Sequence, residues 1–109
     1  MAADTLSLTG KVAIVTGSGR ETGIGAGIAT ALARNGASVV INHVSDTSST
    51  RAASVAQKIV DAGGKAVVVQ ADVSTKEGAE KLVQQSLERL QVQHIDILGM
   101  YLSIGLFAI

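Results

Sequence analysis

Thr16-Gly17-Ser18-Gly19-Arg20-Glu21-Thr22-Gly23-Ile24-Gly25 is the stretch on which the reading of this chain turns. Four glycines in ten residues cannot be the interior of a strand or a helix. They mark a tight connection in which the backbone must approach something closely without a Cβ in the way. Before it, Lys11-Val-Ala-Ile-Val-Thr16 is a short apolar run rich in β-branched residues, the pattern of a strand buried on both faces. After it, Ile24, Ile28, Ala31 and Leu32 recur at helical spacing, and Asn35-Gly36 supplies a stop. A glycine loop alone is a weak signal and equally describes a simple turn. Between a buried strand and an amphipathic helix it becomes a place where free amides and the helix dipole can hold a pyrophosphate.

The alternation continues. Ser38-Val-Val-Ile-Asn42 reads as a second buried strand, and a Ser/Thr-rich stretch, Ser45 to Thr50, follows. Ala52, Val55, Ala56 and Ile59 mark one face of a second helix, closed by Gly63-Gly64. Ala66-Val-Val-Val-Gln70 is a third strand. Ser74-Thr75-Lys76-Glu77 reads as a capping box opening a third helix, with Ala79, Leu82, Val83, Ser86 and Leu90 inward and a Glu77–Lys81 pair outside. His94-Ile-Asp-Ile-Leu98 is a fourth strand. The order β-α-β-α-β-α-β with apolar strands predicts an α/β, partial doubly wound, Rossmann-like parallel sheet with helices on both faces. The strand order expected is 3-2-1-4. Residues 1–98 are then one Rossmann-like half-domain of the dinucleotide-binding type, and 99–109 an apolar tail.

Composition narrows the function. The chain has 109 residues, with 9 Lys+Arg against 9 Asp+Glu, so a phosphate-backbone interface with nucleic acid is not expected. There is no Cys, which removes disulfides and thiolate metal sites. The two aromatic rings, Tyr101 and Phe107, both lie in the last nine residues. The start Met1-Ala-Ala-Asp4 lacks the basic character of a leader, and the longest apolar stretch, Ile95 to Ile109, is interrupted by Asp96 and falls short of a membrane span of roughly 20 residues. A soluble cytoplasmic protein is expected. His43 reads as a strand-end residue, and His94 has no second His or carboxylate at metal spacing, so no metal site is expected.

The loop does not fit G-x-G-x-x-G, because Thr22 stands where the third glycine belongs. It resembles instead the Thr-Gly-x-x-x-Gly-x-Gly loop of the short-chain dehydrogenase/reductase family, through Thr16, Gly17, Gly23 and Gly25. Five residues separate Gly17 from Gly23 where the family has three, so two extra residues sit near Glu21-Thr22. The likeness extends to Leu8–Val15, to Ala71-Asp72-Val73-Ser74 and to Ile95–Leu98, and so covers residues 6 to 98. It implies a nicotinamide dinucleotide cofactor. The cofactor-binding residues would be Gly17, Ser18, Arg20, Gly23, Ile24 and Gly25 around the loop, Asn42 and Ser45 after the second strand, and Asp72 and Val73 after the third. Asp72 would meet the adenine amino group; read by itself it is a turn residue, and the two roles are compatible.

An acid at the end of the second strand ordinarily bonds the ribose hydroxyls and selects NAD. Asn42 holds that position here, with no carboxylate before Asp46, while Arg20 can supply a cation and Ser45 a hydroxyl. This favours NADP over NAD, with Arg20 as a plain solvated loop residue the alternative. In the family a Tyr moves the proton, a Lys four residues later lowers its pKa, and a Ser polarises the substrate oxygen. Here Gly99-Met-Tyr-Leu102 replaces the expected Asn-Asn-Ala-Gly, the residue four after Tyr101 is Gly105, and Ser103 carries no mark of catalysis. No catalytic residue is assigned, and these 109 residues are expected to be inactive alone. The abrupt tail suggests a truncated or misread gene product, and an exposed fourth strand that could drive self-association. The competing readings are a nucleotide-binding or subunit-pairing module without catalysis, and a non-functional fragment.

Overall fold

The computed structural model describes residues 7–16 and 24–99. Its elements alternate: β1 (Val12–Val15), α1 (Ile24–Arg34), β2 (Ser38–His43), a single 3-10 turn (Asp46–Ser48), α2 (Ser49–Asp61), β3 (Lys65–Gln70), α3 (Lys76–Leu90) and β4 (Ile97–Gly99). All strand pairs are parallel, and the sheet runs β3-β2-β1-β4. β4 extends one residue into the stretch assigned to the tail, since Gly99 pairs with Val15.

Period-two alternation splits the strands between two cores. Val15, Val39 and Ile41 face α1 and α2 and pack on Ala26, Ala29, Ala33, Ala52, Val55, Ala56 and Ile59. Ile14, Val40 and Val69 face the other way, with Leu82 of α3 and Ala71. Strands that bury both faces explain why β1 and β2 read as continuous apolar runs rather than alternating ones.

Two helices sit differently from the reading of their periodicity. In α1 the buried stripe is Gly25, Ala26, Ala29 and Ala33, while Ile28 is 43% exposed and Ala31 faces solvent. Both stripes have helical spacing, so the pattern could not rank them. The alanine stripe wins because small side chains let the helix lie close on the sheet. In α3 Leu82 and Ser86 are buried and Leu90 half-buried, whereas Ala79 and Val83 are exposed. An i, i+4 row is a narrow stripe, and Val83 lies about 100° further round the helix than Leu82. Ser86 is buried without cost because its hydroxyl donates to the Leu82 carbonyl. The cap also shifts by one residue. Thr75, not Ser74, accepts the Gly78 amide at 3.0 Å, and the exposed i, i+4 pair that forms is Lys76–Glu80 rather than Glu77–Lys81.

All three helices end the same way. At α1 the Gly36 amide donates to Ala33 and the Ala37 amide to Leu32, closing the last carbonyls in a Schellman turn. Gly36 has φ +106°, where glycine is at ease. α3 closes with the same bonds, Gln91 to Glu88 and Val92 to Leu87, but places a non-glycine residue, Gln91, at φ 56°.

The lower edge of the sheet is held by a contact the sequence did not announce. The Asp96 carboxylate Oδ2 accepts the Val12 amide at 2.9 Å and lies 3.1 Å from His94 Nε2. The Asp96 amide in turn donates to the Val12 carbonyl at 2.9 Å. His94 therefore does have a carboxylate partner, and its setting is strand docking. Among the described residues no group of three or more His, Asp or Glu side chains is placed to hold a metal.

Candidate functional site

Because the strands are parallel, β1, β2 and β3 all deliver their carboxyl ends to one edge, and α1, α2 and α3 all begin there. Ligands of open α/β sheets bind at that edge. Thr16, buried at the end of β1, leads into the glycine loop. Gly17, Ser18, Arg20 and Gly23 lie outside the described residues, as do Tyr101, Ser103 and the rest of the tail after Gly99. Ile24 opens α1, and Gly25 follows it, buried.

At the end of β2 the sequence reading placed Asn42 at the rim. The structure places it beneath. Asn42 is 0% exposed, and its Nδ2 donates to the carbonyls of Val69 and Ala71, each at 3.2 Å. Its amide thus ties the end of β2 to the end of β3, and it is not a rim group. Its Oδ1 is buried without a hydrogen-bond partner. The residues that reach the surface are Val44, 52% exposed, and Ser45. Ser45 Oγ lies 2.9 Å from Thr47 Oγ1 and 3.2 Å from Ser48 Oγ, a cluster of hydroxyls at the start of α2. His43 supports it from below: Nδ1 is 2.9 Å from the Ser45 carbonyl and 3.1 Å from Ser48 Oγ. Arg51 is exposed in the first turn of α2 and brings a cation to the same end of the sheet.

Beyond β3, Asp72 is exposed and its carboxylate is pre-set. Oδ1 accepts the Ser74 hydroxyl at 2.6 Å and the Ser74 amide at 2.9 Å. These two bonds, the hydroxyl first, hold the Asp72 carboxyl below its ordinary pKa. Both fall on Oδ1, which leaves Oδ2 for a donor arriving from outside. The Asp72 carbonyl accepts the Thr75 hydroxyl at 3.1 Å, and the same hydroxyl accepts the Gly78 amide. Gly78 is required here by closeness: a Cβ would stand 1.8 Å from the Asp72 carbonyl oxygen. Val73 lies half-buried beside Asp72.

One group at this edge was missed in the sequence. Gln70, the last residue of β3, donates through Nε2 to the Val44 carbonyl at 3.2 Å and to Asp46 Oδ1 at 2.9 Å. Its only trace in the sequence is a polar residue closing the run Lys65-Ala-Val-Val-Val-Gln70, which says where the strand ends but not what the amide holds.

The family model for short chain dehydrogenase matches residues 11–102, which include every element described. The chain belongs to the short-chain dehydrogenase family. An uncharacterised oxidoreductase of Methylorubrum extorquens is 48% identical over 91 residues, covering 84% of this chain and 34% of its own. A hydroxynaphthalene reductase-like protein, Arp2, of Metarhizium robertsii is 44% identical, covering 84% of this chain and 32% of its own. Among solved structures, a dehydrogenase/reductase of Sinorhizobium meliloti superposes with a TM-score of 0.77 at 41% identity, over 87% of this chain and 35% of that one. A blue fluorescent protein from a metagenomic library, solved in complex with NADPH, superposes with a TM-score of 0.75 at 36% identity, over 84% and 36%. The chain therefore spans about a third of the length of the short-chain dehydrogenases it matches. No helix among the described residues is long and apolar enough to cross a membrane.

Proposed function

We propose that residues 1–98, with β4 running on to Gly99, are the NAD(P)-binding half of a short-chain-type oxidoreductase, that the residues after Gly99 are an apolar tail, and that NADP is the preferred cofactor. The observation that carries this reading is the pre-set Asp72 carboxylate, exposed at the carboxyl edge of a parallel sheet and oriented by two bonds from Ser74. The residues present fit the adenosine half of a dinucleotide. Asp72 Oδ2 is an acceptor for an exocyclic amine, and half-buried Val73 is an apolar neighbour for a ring. The Ser45 hydroxyl suits a ribose or phosphate oxygen. Gly17, Ser18, Arg20, Gly23, Ile24 and Gly25 would bring amides and a cation to the pyrophosphate side. Asn42 would serve from beneath, holding the two strand ends in register. When bound, such a cofactor supplies or accepts a hydride at a carbonyl or alcohol carbon.

Absence of an acid at the end of β2 supports NADP, because a carboxylate there would repel a 2′-phosphate. These 109 residues include no Tyr with a Lys four positions on, and we expect them to bind cofactor without turning over a carbonyl substrate. Calorimetric titration with NADPH and NADH tests the reading. Saturable binding with NADPH the tighter ligand is expected, and absence of heat with both would overturn it. A second reading is self-association through β4, which is a terminal strand of the described sheet. Sedimentation of the chain across a concentration series tests it, with a constant monomer mass as the refuting result.

A further inference from the structure

The polar groups around the end of β2 are divided between its two flanks. On one flank lie β1 and the start of α1; on the other lies β3, the terminal strand of the described sheet. Asp46 follows β2 by three residues, and a carboxylate that close to the strand end has the reach to do what an acid at the strand end does, which is to accept the ribose hydroxyls and exclude a 2′-phosphate. The structure turns Asp46 the other way. Its Oδ1 takes the Gln70 amide at 2.9 Å, and Gln70 stands at the end of β3, opposite His43 in the register. The same amide takes the Val44 carbonyl at 3.2 Å, so one side chain fixes both the path of the backbone out of β2 and the side to which Asp46 is drawn. The hydroxyls of Ser45, Thr47 and Ser48 are left bonded to one another, without a carboxylate among their partners.

We propose that Gln70 is a positioning residue for cofactor choice: by holding Asp46 on the β3 side it keeps a carboxylate away from the place of the 2′-phosphate and lets this edge take NADP. The inference rests on the cofactor reading above and assigns it a regulator that touches no cofactor atom. Released from Gln70, Asp46 can swing toward Ser45. A carboxylate brought within several ångströms of a phosphate in water, and screened by salt, costs the 2′-phosphorylated ligand about fivefold in affinity. It costs the unphosphorylated ligand nothing.

The test uses the 109-residue chain and two probes that carry only the adenosine end, adenosine 2′,5′-bisphosphate and adenosine 5′-monophosphate, titrated by calorimetry. The unsubstituted chain is expected to prefer the bisphosphate. Gln70→Ala narrows that preference about fivefold, and Gln70→Ala combined with Asp46→Asn restores it. Asp46→Asn alone changes it by less than about twofold, because the charge already points away. Gln70→Lys, which keeps a donor toward Val44 and Asp46, retains the preference, and it decides the matter should Gln70→Ala fail to fold. A purely structural role for Gln70 weakens both probes alike and leaves the ratio where it was. That outcome, a Gln70→Ala ratio not restored by Asp46→Asn, or a lowered ratio in Gln70→Lys overturns the inference and leaves the cofactor reading standing. An unsubstituted chain that binds neither probe, or that prefers the monophosphate, overturns the NADP reading and this inference with it.

Discussion

Replacing Gly78 by alanine should destabilise the chain, although alanine is the better helix former. Gly78 is the third residue of α3, and on propensity alone the substitution gains about 0.5–1 kcal/mol. Space decides the sign. The added Cβ would lie 1.8 Å from the Asp72 carbonyl oxygen, 2.6 Å from its carbon and 2.9 Å from Thr75 Oγ1. An ordinary contact needs about 3.4 Å, so the carbonyl must retreat by roughly 1.6 Å, and backbone cannot rotate away as a side-chain tip can. That carbonyl accepts Thr75 Oγ1 at 3.1 Å and the Thr75 amide at 3.3 Å, and a retreat of this size breaks both. The cap from Thr75 to the Gly78 amide goes with them. Two bonds at about 1 kcal/mol each and a cap of about 1 kcal/mol outweigh the helix gain. The net loss is about 2 kcal/mol, read as a lower urea midpoint at unchanged slope. Gly27→Ala is the matched control. Gly27 lies inside α1 with nothing within 4 Å of an added Cβ, so it should gain about 0.5–1 kcal/mol. A stability for Gly78→Ala equal to or above the unsubstituted chain would refute the reasoning. So would a shift of the same sign in both variants.

Asp96→Ala should cost about 1–3 kcal/mol in urea unfolding, because the part-buried Val12 amide loses its acceptor, while His94→Ala, removing only the exposed half of the pair, should cost less than about 1 kcal/mol. Equal losses would show that the His94 contact, not the amide, carries the docking. Gln91→Gly relieves a left-handed backbone at the end of α3 and should raise stability by about 0.5–1 kcal/mol in the same assay. The Asp72 carboxyl is lowered in the folded chain, so its bonds add stability above the unfolded-state pKa, and that contribution is lost as pH falls through the folded value. Ser74→Ala removes the leading cause and should raise the Asp72 pKa toward its ordinary value, followed by the carboxyl carbon shift in an NMR titration. An unmoved titration would mean that the hydroxyl bond does not set the charge.

The alternation of strands and helices was legible because each strand is apolar on both faces and each helix begins after a turn. The α2 face was legible too, since Ala52, Val55, Ala56 and Ile59 offer a single apolar stripe. α1 was not, because its small-residue stripe and its larger-residue stripe have the same period, and hydropathy favours the larger one. The turn at the candidate site was legible where a residue's own backbone makes it, as at Asp72-Val73-Ser74. The site was illegible where the partner is remote. Asn42 lies 27 residues before Val69, and Gln70 lies 24 beyond Asp46. No local pattern signals bonds across that separation; they exist because β2 and β3 are parallel neighbours whose ends arrive together.

That arrival gives β3 a larger share in the site than its place at the side of the sheet suggests. Gln70 and Asp72 are two residues apart, yet they hold opposite elements. Gln70 fixes the segment leaving β2, and Asp72 anchors the turn into α3. The buried Asn42 amide clamps the backbone on either side of Gln70 by its bonds to Val69 and Ala71. A strand with one sheet neighbour is free to fray, and fraying here would loosen both the segment leaving β2 and the turn into α3 at once. α3 opposes this directly: the Arg89 guanidinium donates to the Val68 carbonyl, one residue before the clamped pair. The charged group thus covers an edge-strand carbonyl that would otherwise be open to a passing strand, and it fastens β3 to the helix whose start Asp72 holds. The remote bonds of Gln70, Asn42 and Arg89 and the turn held by Asp72 therefore act as a single device, in which the rigidity of the rim is borrowed from the docking of an edge strand.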